Sequence, residues 1–246
     1  MKEYIKKFET AEAGDNYSIA DIPFMTSVET TGQNLVCNQP GKKLVTESWI
    51  LKIQSDGPEM IDLGLSVKWA KNNIGATCGD TAESWYGGFY AWGETETKSD
   101  YSWGTYKFGA SSPFSKYDSD GKTVLEAVDD IATQTYGSNY RMPTKAECEE
   151  LKALPNRWVT GYNNISGLNG RVFTGTNGNI LFIPAAGSFN GSTRSNIGSG
   201  CYLWSSSLYS DNPSYAWNLN FYSSYVGLDS DGYRYVGFSV RCVSKD

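Results

Sequence analysis

The chain contains no histidine among its 246 residues. Histidine is the commonest general base, a partner in Ser-His and Cys-His nucleophile pairs, and a usual ligand of catalytic zinc. Its absence removes these three routes to catalysis and leaves carboxylates and lysine as the remaining acid–base groups. The sequence therefore favours a protein that is not an enzyme.

Positive charge and long apolar runs are also scarce. The chain has 21 Lys and Arg against 27 Asp and Glu, a net charge of −6 and a pI of about 4.8, so no basic surface for phosphate backbones or anionic lipids is expected. No stretch approaches the roughly 20 apolar residues that span a bilayer. The opening MKEYIKKFETAEAGD lacks the apolar core of a signal peptide. We expect a soluble chain with no nucleic-acid partner and no membrane insertion.

The cysteines form no recognisable framework. Cys37, Cys78, Cys148, Cys201 and Cys242 are scattered without a CxxC pair, which argues against zinc and against dense disulfides. An odd number leaves at least one thiol unpaired within the monomer. We expect small buried apolar residues in a reducing compartment, with no metal and no cofactor.

The residues that are abundant point to strands and loops. The chain has 26 Gly and 17 Tyr, and only 20% of its residues are charged, whereas a helical bundle would be rich in Ala, Leu, Glu and Lys. The N-terminal segment GQNLVCNQPGKKLVTESWILKIQ predicts a turn at Pro40-Gly41 before a strand from Val45 to Ile53. The next segment, SDGPEM at 55–60, has the composition of a turn. We expect a small β-rich attachment or assembly unit over residues 1–57 and a main domain over 58–246.

The main domain reads as α+β. Alternation from Ile61 to Trp69 predicts a half-buried strand, and GGFYAWGE a short aromatic one. Helices are predicted in KTVLEAVDDIATQTYG, with one apolar face, and in PTKAECEELKAL, where Thr144 and Glu147 have capping-box spacing and the helix should start near Lys145. Later segments predict a hairpin in GRVFTGTNGNILFIPAAG and strands in CYLWSSS, YAWNLNF and YVGFSVRCV.

Residues 202–240 lack four common residue types. None of the chain's 15 Lys, 13 Glu, 4 Gln and 4 Met lies in this segment. A tyrosine-rich edge strand would explain the Tyr and Ser, but it leaves the missing Lys and Glu unexplained, because these also suit exposed edges. An AAC or AAT codon whose adenines are randomised can encode Tyr, Ser, Asp, Asn, Gly and Arg, but not Lys, Glu, Gln, Met or Trp. Adenine-directed variation therefore accounts for the composition.

Six ordered motifs carry a family resemblance over residues 60–243. IDLGLSVKWAKNNIGA, GGFYAWGET, YRMPTKAECEEL, NGNILFIPAAG, YLWSSS and GFSVRCV resemble the Bacteroidetes-type C-type-lectin-fold domains related to the formylglycine-generating-enzyme fold. The C-terminal part is similar to the variable region of diversity-generating retroelement proteins, of Bacteroidetes or Bacteroides-phage type. The resemblance implies a C-type lectin-like fold with two helices and short antiparallel strands, and a variable ligand-binding region at about 202–240.

The expected binding surface follows from the strand pattern. In AWNLNF, Trp217, Leu219 and Phe221 should face the core, with Asn218 and Asn220 on the opposite face; Val226, Leu228, Phe238 and Val240 look structural. The remaining residues are the predicted ligand-binding set: Tyr209, Ser210, Asp211, Tyr222, Ser224, Tyr225, Gly227, Asp229, Ser230, Asp231, Gly232, Tyr233 and Tyr235. Tyrosine offers a large rigid contact area, and Ser, Gly and Asp adapt around it, as in antibody paratopes.

The resemblance implies a receptor-binding protein of a phage tail tip or a bacterial cell surface. Its partner would be a protein or glycan receptor on a target cell, and display as a homo-oligomer such as a trimer would raise avidity. The alternative is a non-diversified structural or assembly module. An oxidase activity would need an active-site cysteine pair, and only Cys201 and Cys242 lie late in the chain.

The sequence leaves open whether calcium binds at either of two places. DSDG occurs at 118–121 and at 229–232, and Asp118 with Asp120 or Asp229 with Asp231 could ligate a hard cation. Neither copy completes an EF-hand loop, and Asp and Gly are ordinary turn residues. No Glu-Pro-Asn or Trp-Asn-Asp motif of calcium-dependent sugar binding is present, so a lectin-like fold would not by itself imply lectin activity.

Overall fold

The computed structural model describes residues 57–244 and the backbone of two short N-terminal strands. Contacts divide the chain into two units, Met1–Asp56 and Gly57–Asp246. In the first, β1 (Val28–Glu29) pairs antiparallel with β2 (Lys52–Ile53). The predicted turn at Pro40-Gly41, most of the predicted strand Val45–Ile53, and Cys37 lie outside the described residues.

The second unit is mixed α+β, with small, mostly antiparallel sheets and few helices. Its helices are α1 (Glu83–Tyr86), α2 (Ile131–Tyr136) and α3 (Lys145–Ala153), with 3₁₀ turns at Trp103–Thr105, Ala127–Asp129 and Tyr162–Asn164. Its strands are β3 (Met60–Ile61), β4 (Lys68–Ala70), β5 (Phe89–Tyr90), β6 (Tyr140–Arg141), β7 (Asn156–Val159), β8 (Gly170–Thr174), β9 (Ile180–Pro184), β10 (Ser188–Asn190), β11 (Thr193–Ser195), β12 (Cys201–Leu208), β13 (Tyr215–Phe221), β14 (Val226–Tyr233), β15 (Phe238–Ser239) and β16 (Val243–Ser244). In the part of the chain so described, no helix has the length and apolar character needed to cross a membrane.

A five-stranded sheet in the order β14-β13-β12-β15-β5 lies at the centre of this unit. Only the β12–β15 pair is parallel. Side chains alternate along β12, so Trp204 packs into one apolar cluster with Phe238 while Leu203 packs into a second with Leu219. Helix α3 covers the second face of β12, β13 and β14. The sheet is therefore buried on both faces at β12, and β14 is its outer edge.

Three smaller sheets complete the unit. β3, β4, β16 and β6 form a four-stranded antiparallel sheet, β7, β8 and β9 a three-stranded one, and β10 and β11 a hairpin. The predicted hairpin around Asn177-Gly178 is confirmed as β8 and β9, and the predicted aromatic strand is confirmed as β5.

The predicted capping box at the start of α3 is confirmed. The Thr144 hydroxyl accepts from the Glu147 N–H, and the Glu147 carboxylate accepts from the Thr144 N–H at 2.8 Å. The same carboxylate binds Arg141 through two nitrogens, at 2.6 and 2.7 Å. Because α3 covers the sheet, this cap links helix initiation to the central core.

Acid should weaken this cap. Burial opposes ionisation of Glu147, but the hydrogen bonds from Arg141 and Thr144 outweigh it and hold the pKa of Glu147 below its usual value. A carboxyl whose pKa is lower folded than unfolded stabilises the fold above the unfolded pKa, and this contribution is lost as pH falls through the folded pKa. We expect the free energy of unfolding to fall more steeply below about pH 4.3 in the wild-type chain than in Glu147→Gln, measured by urea unfolding. Parallel pH profiles would contradict this.

Three sequence predictions were wrong in detail. The strand predicted in YVGFSVRCV is divided into β15 and β16, which belong to two different sheets. The segment KTVLEAVDDIATQTYG is not one helix, because the Leu125 N–H donates to the Ser206 carbonyl at 2.9 Å and draws the chain alongside β12. Asp130 then caps α2 by accepting two N–H groups of its first turn. As a result, two residues on the apolar face of the predicted helix are exposed: Val124 and Val128.

The predicted strand from Ile61 to Trp69 is also interrupted, in this case by a local turn. Its ends pair with each other as β3 and β4, and between them the Asp62 carboxylate accepts from the Gly64 N–H at 2.8 Å. Gly64 has φ of +70°, a conformation that glycine adopts without strain. The alternation of burial nevertheless holds, since Leu63, Val67 and Trp69 are all buried.

Candidate functional site

The tyrosine-rich tail forms the edge hairpin of the central sheet. β13 and β14 pair from Tyr215↔Tyr233 to Phe221↔Val226. The Tyr222 N–H donates to the Tyr225 carbonyl at 2.9 Å, which leaves only Ser223 and Ser224 in the turn, both exposed. Within the segment of unusual composition, β14 therefore lies at the edge of the sheet, whereas β12 and β15 lie inside it.

The predicted binding residues differ in exposure. Six are exposed: Ser210, Asp211, Ser224, Tyr225, Asp231 and Tyr233. Five are half-buried: Tyr209, Tyr222, Asp229, Ser230 and Tyr235. Two are buried: Gly227 and Gly232. Water thus reaches the tyrosine rings of this set, most of all those of Tyr225 and Tyr233, with relative exposures of 47% and 41%.

Four rings make a continuous aromatic row, defined as Tyr215, Tyr233, Tyr235 and Trp103. Tyr233 stacks on Tyr215 at 4.5 Å between ring centroids and on Tyr235 at 5.5 Å. Trp103 meets Tyr235 edge-on at 4.7 Å. Hydrogen bonding to Tyr233 raises the pKa of Tyr215, so the Tyr215 phenol remains neutral at physiological pH. The row is a rigid platform of partly wet aromatic surface.

The buried side chain of Arg234 stabilises the loops that carry this aromatic row. This side chain has 0% exposure, and its guanidinium donates to the Tyr106 hydroxyl and to three backbone carbonyls, those of Lys116, Tyr117 and Pro213, at 2.8–3.2 Å. Several rings surround it, with Phe114 at 4.6 Å. Since Phe114 also stacks on Trp103 at 5.3 Å, one buried cation ties together the loops that carry the aromatic row.

A second group lies further along the hairpin, and we call Asn218, Asn220 and Asp229 the amide–carboxylate site. The Asn218 amide donates to the backbone carbonyl of Asp229 at 3.2 Å, and the Asn220 amide donates to the Asp229 carboxylate. The Tyr225 hydroxyl donates to the other carboxylate oxygen at 3.2 Å. Asn218 and Asn220 are 1% and 5% exposed, and the carbonyl oxygen of each side chain has no hydrogen-bond partner among the described residues.

Tyr222 lies at the turn end of the hairpin. Its hydroxyl shares a hydrogen bond with that of Tyr202, which also accepts from the Asn196 amide at 2.9 Å. The Tyr222 ring covers Gly200, where an added Cβ would lie 2.8 Å from it. Tyr222 is therefore less free to change than Tyr225 or Tyr233.

Arg171 of β8 fixes the turn of the hairpin. Its guanidinium donates to the carbonyls of Tyr222 and Ser223 at 2.7 and 3.0 Å and to the Asn156 side chain at 2.6 Å. Burial lowers the pKa of Arg171. The turn is thus held through its backbone, which every sequence at 222–224 shares.

Replacing Arg171 with methionine should loosen the turn. We expect the Tyr222 amide to exchange its hydrogen about tenfold faster or more, because two carbonyls lose a charged donor. Arg157→Met is the matched control, since Arg157 is exposed on the neighbouring strand β7 and should leave the exchange rate unchanged. Equal exchange in the two variants would contradict the anchoring role.

Comparisons with family models, curated proteins and solved structures find no match to this chain. The assignment of the site therefore depends on its own geometry.

Three residues lie differently from expectation. Trp217 was predicted to face the core, but it is only half-buried, with Lys145 of α3 over its ring at 3.6 Å. Asn218 and Asn220 are on the opposite face as predicted, but they are buried, because the hairpin folds Asp229 and Tyr225 across them.

The two predicted glycines contribute no side-chain surface. An added Cβ at Gly232 would lie 2.8 Å from the Trp204 ring, and one at Gly227 would lie 2.0 Å from the Tyr225 hydroxyl. Gly232 is thus a framework position, because the ring it meets is a fully buried core residue. Gly227 serves the surface indirectly, by letting the Tyr225 ring lie flat.

Tyr209 is separate from the other predicted tyrosines. Its ring meets Trp217 edge-on at 5.6 Å, on the side of β13 away from Asn218. Ser210 and Asp211 follow in the exposed turn before β13. The structure therefore distributes the predicted residues of 222–235 along the edge hairpin and leaves Tyr209 beside Trp217.

The cysteines and the first DSDG motif have structural surroundings. Cys148, Cys201 and Cys242 are buried and Cys78 is half-buried, all as free thiols, and burial raises the pKa of Cys242 to about 12. The Asp118 carboxylate accepts from the Phe114 N–H at 2.7 Å, and Asp120 accepts from three turn N–H groups. Within residues 57–244, no group of three or more His, Cys, Asp or Glu side chains could hold a metal ion.

Proposed function

We propose that this chain is a ligand-binding protein that displays a diversified Tyr/Ser/Asp/Gly-rich surface on a C-type lectin-like scaffold. One observation carries the proposal. The rings of Tyr225 and Tyr233 are exposed, while two arginines below them are buried. Arg171 binds the carbonyls of the hairpin turn, and Arg234 binds carbonyls of the loops that carry the aromatic row. A surface of this kind can change its side chains without changing its framework.

The contact chemistry suits recognition. Tyrosine and tryptophan lose few rotatable bonds on binding and combine apolar area with a polar tip, and Ser, Asp and Asn supply adaptable hydrogen bonds. With Tyr225 and Tyr233 the most exposed rings of the hairpin, a receptor would meet aromatic anchors first, as in interface hot spots. We place the protein at a phage tail tip or a bacterial cell surface, as an adhesin without catalytic activity.

A display library tests the proposal. The first library would vary six exposed or half-buried positions over the residues that an adenine-randomised AAC or AAT codon allows: Ser224, Tyr225, Ser230, Asp231, Tyr233 and Tyr235. A control library would vary four core positions over the same set: Leu203, Trp204, Leu219 and Phe221. We expect most surface variants to fold and selection on an immobilised protein such as ubiquitin to enrich binders. The control library should lose its folded members. Similar loss in both libraries would contradict the proposal.

The DNA beside the gene gives an independent test. Adenine-directed diversification requires a near-identical repeat that differs from the 202–240 coding segment only at adenines, next to a reverse transcriptase gene. Its presence would support diversification.

The second candidate function is a non-diversified assembly module. The position of β14 at the edge of the sheet favours this function, because an edge strand can pair with a strand of a neighbouring subunit. In that case substitutions of Tyr225 and Tyr233 should dissociate an oligomer in sedimentation experiments. A diversified binding face predicts an unchanged oligomeric state.

A further inference from the structure

Two buried amide oxygens point to a missing hydrogen-bond donor at the amide–carboxylate site. Asn218 Oδ1 and Asn220 Oδ1 have no partner among the described residues, although both side chains are more than nine-tenths buried. Flipping the Asn220 amide would turn its oxygen toward the Asp229 carboxylate, so that bond fixes the orientation. Buried polar atoms are almost always paired, which makes two orphaned acceptors side by side a notable exception.

Tyr225 is a movable cover for this site. Its ring lies over Gly227, next to Asn220 in the β13–β14 register. Its hydroxyl donates to Asp229 at 3.2 Å, a long hydrogen bond, and nearly half of the side chain is exposed. Rotation of this ring would break the hydrogen bond to Asp229 and the packing on Gly227, and would uncover Asp229.

Hairpin residues 215–233 carry two acidic side chains and no basic one, and the Arg171 guanidinium beside the turn is engaged by the carbonyls of Tyr222 and Ser223. The only basic residue in 202–240 is Arg234, which is fully buried beneath the aromatic row, whereas Asp211, Asp229 and Asp231 are acidic. Burial and the nearby charges of Asp229 and Asp231 raise the pKa of Tyr225, so this phenol adds no negative charge at neutral pH. The site offers acceptors and negative charge, and its complement is a cation that donates hydrogen bonds.

We infer that the amide–carboxylate site binds a primary ammonium group, the end of a lysine side chain on a partner protein. The ammonium has three N–H donors and meets three acceptors, Asn218 Oδ1, Asn220 Oδ1 and the Asp229 carboxylate, while the displaced Tyr225 ring covers the aliphatic stem. A guanidinium needs acceptors matched to its planar fork, and calcium needs six to eight oxygen ligands. The inference rests on the proposed function, because it gives the recognition face a ligand class.

Small peptides test the assignment directly. The probes are acetyl-Gly-Lys-Gly-amide and the same peptide with norleucine or arginine in place of lysine, and the readout is the NMR shift of the Asn218 and Asn220 side-chain amides. We expect the lysine peptide to bind with a Kd on the order of 1 mM and the norleucine peptide to cause no shift. Asp229→Asn should weaken lysine binding about tenfold or more, whereas Asp211→Asn should change it less than about twofold.

If Asp229→Asn fails to fold, the variant Tyr225→Phe provides a second test of the site. Loss of the hydroxyl frees the carboxylate, so lysine binding should strengthen by about twofold or more. Equal shifts from the lysine and norleucine peptides, tighter binding of the arginine peptide, or tighter binding of calcium chloride at the same amides would overturn the inference. So would equal effects of the two aspartate substitutions. The library experiment measures whether the surface tolerates variation and yields binders, not whether it binds lysine. If the library yields folded binders but the lysine peptide does not bind, only the present inference is rejected.

Discussion

Replacing Arg234 with methionine should destabilise the second unit by about 4 kcal/mol or more, the largest effect expected from one substitution near the hairpin. Methionine fills part of the volume but donates no hydrogen bond. The Tyr106 hydroxyl and the Tyr117 carbonyl would lose their donor in a buried setting, and each unpaired group costs about 1–3 kcal/mol. The carbonyls of Lys116 and Pro213 would lose theirs in a half-buried one. The surrounding rings would lose their cation as well.

Thermal unfolding measures this effect. In a domain of this size, about 4 kcal/mol corresponds to a fall in Tm of roughly 8–16 °C. Tyr233→Ser is the matched control, since Tyr233 is the adjacent residue and is exposed, and it should shift Tm by less than about 3 °C. Comparable losses in the two variants would mean that Arg234 is not the anchor of the aromatic row.

Trp204→Ala should cost about 3–5 kcal/mol, as expected for a large-to-small change in a core. The Trp204 ring has 0% exposure and lies 4.3 Å from the Phe238 ring. Its indole N–H donates to the Tyr90 carbonyl at 2.8 Å, so the substitution also leaves a buried carbonyl unpaired. The ring further supports Gly232 of the edge strand.

Trp217→Ala provides the comparison on the other face of the sheet. Trp217 is half-buried and its contacts are with Lys145 and Tyr209, so we expect a cost of only about 1–2 kcal/mol. Urea unfolding of the two variants should separate them clearly. Equal costs would contradict the placement of Trp204 in the core between β12 and β15.

Local signals in the sequence were enough where a few neighbouring residues decide the structure. Thr144 and Glu147 predicted the start of α3 because a capping box lies within four residues, and Asn177-Gly178 predicted the hairpin of β8 and β9 because that turn needs a flexible pair. The helix expected before Asp130 failed, since pairing of Leu125 with β12 is a long-range effect that periodicity does not contain.

The exposed tyrosines of the candidate site were predictable from composition, whereas the buried side chains that stabilise the site were not. Tyr225 and Tyr233 were predicted at the surface because they fall outside the apolar positions Val226, Leu228, Phe238 and Val240, and both are exposed. Arg171 lies 51 residues before the carbonyl that it binds, and Arg234 lies between two predicted surface tyrosines with nothing local to mark it as buried. Asn218 and Asn220 carry the one usable signal, since Asn in adjacent same-face positions of a central strand requires partners.

The central claim is that the exposed rings can change while the fold persists. The melting temperature of the double variant Tyr225→Ser/Tyr233→Ser, measured by circular dichroism beside the wild-type chain, tests it most directly. We predict a Tm within about 5 °C of wild type, because both rings are largely wet. A fall of more than about 10 °C would show that these tyrosines belong to the core and would contradict the account.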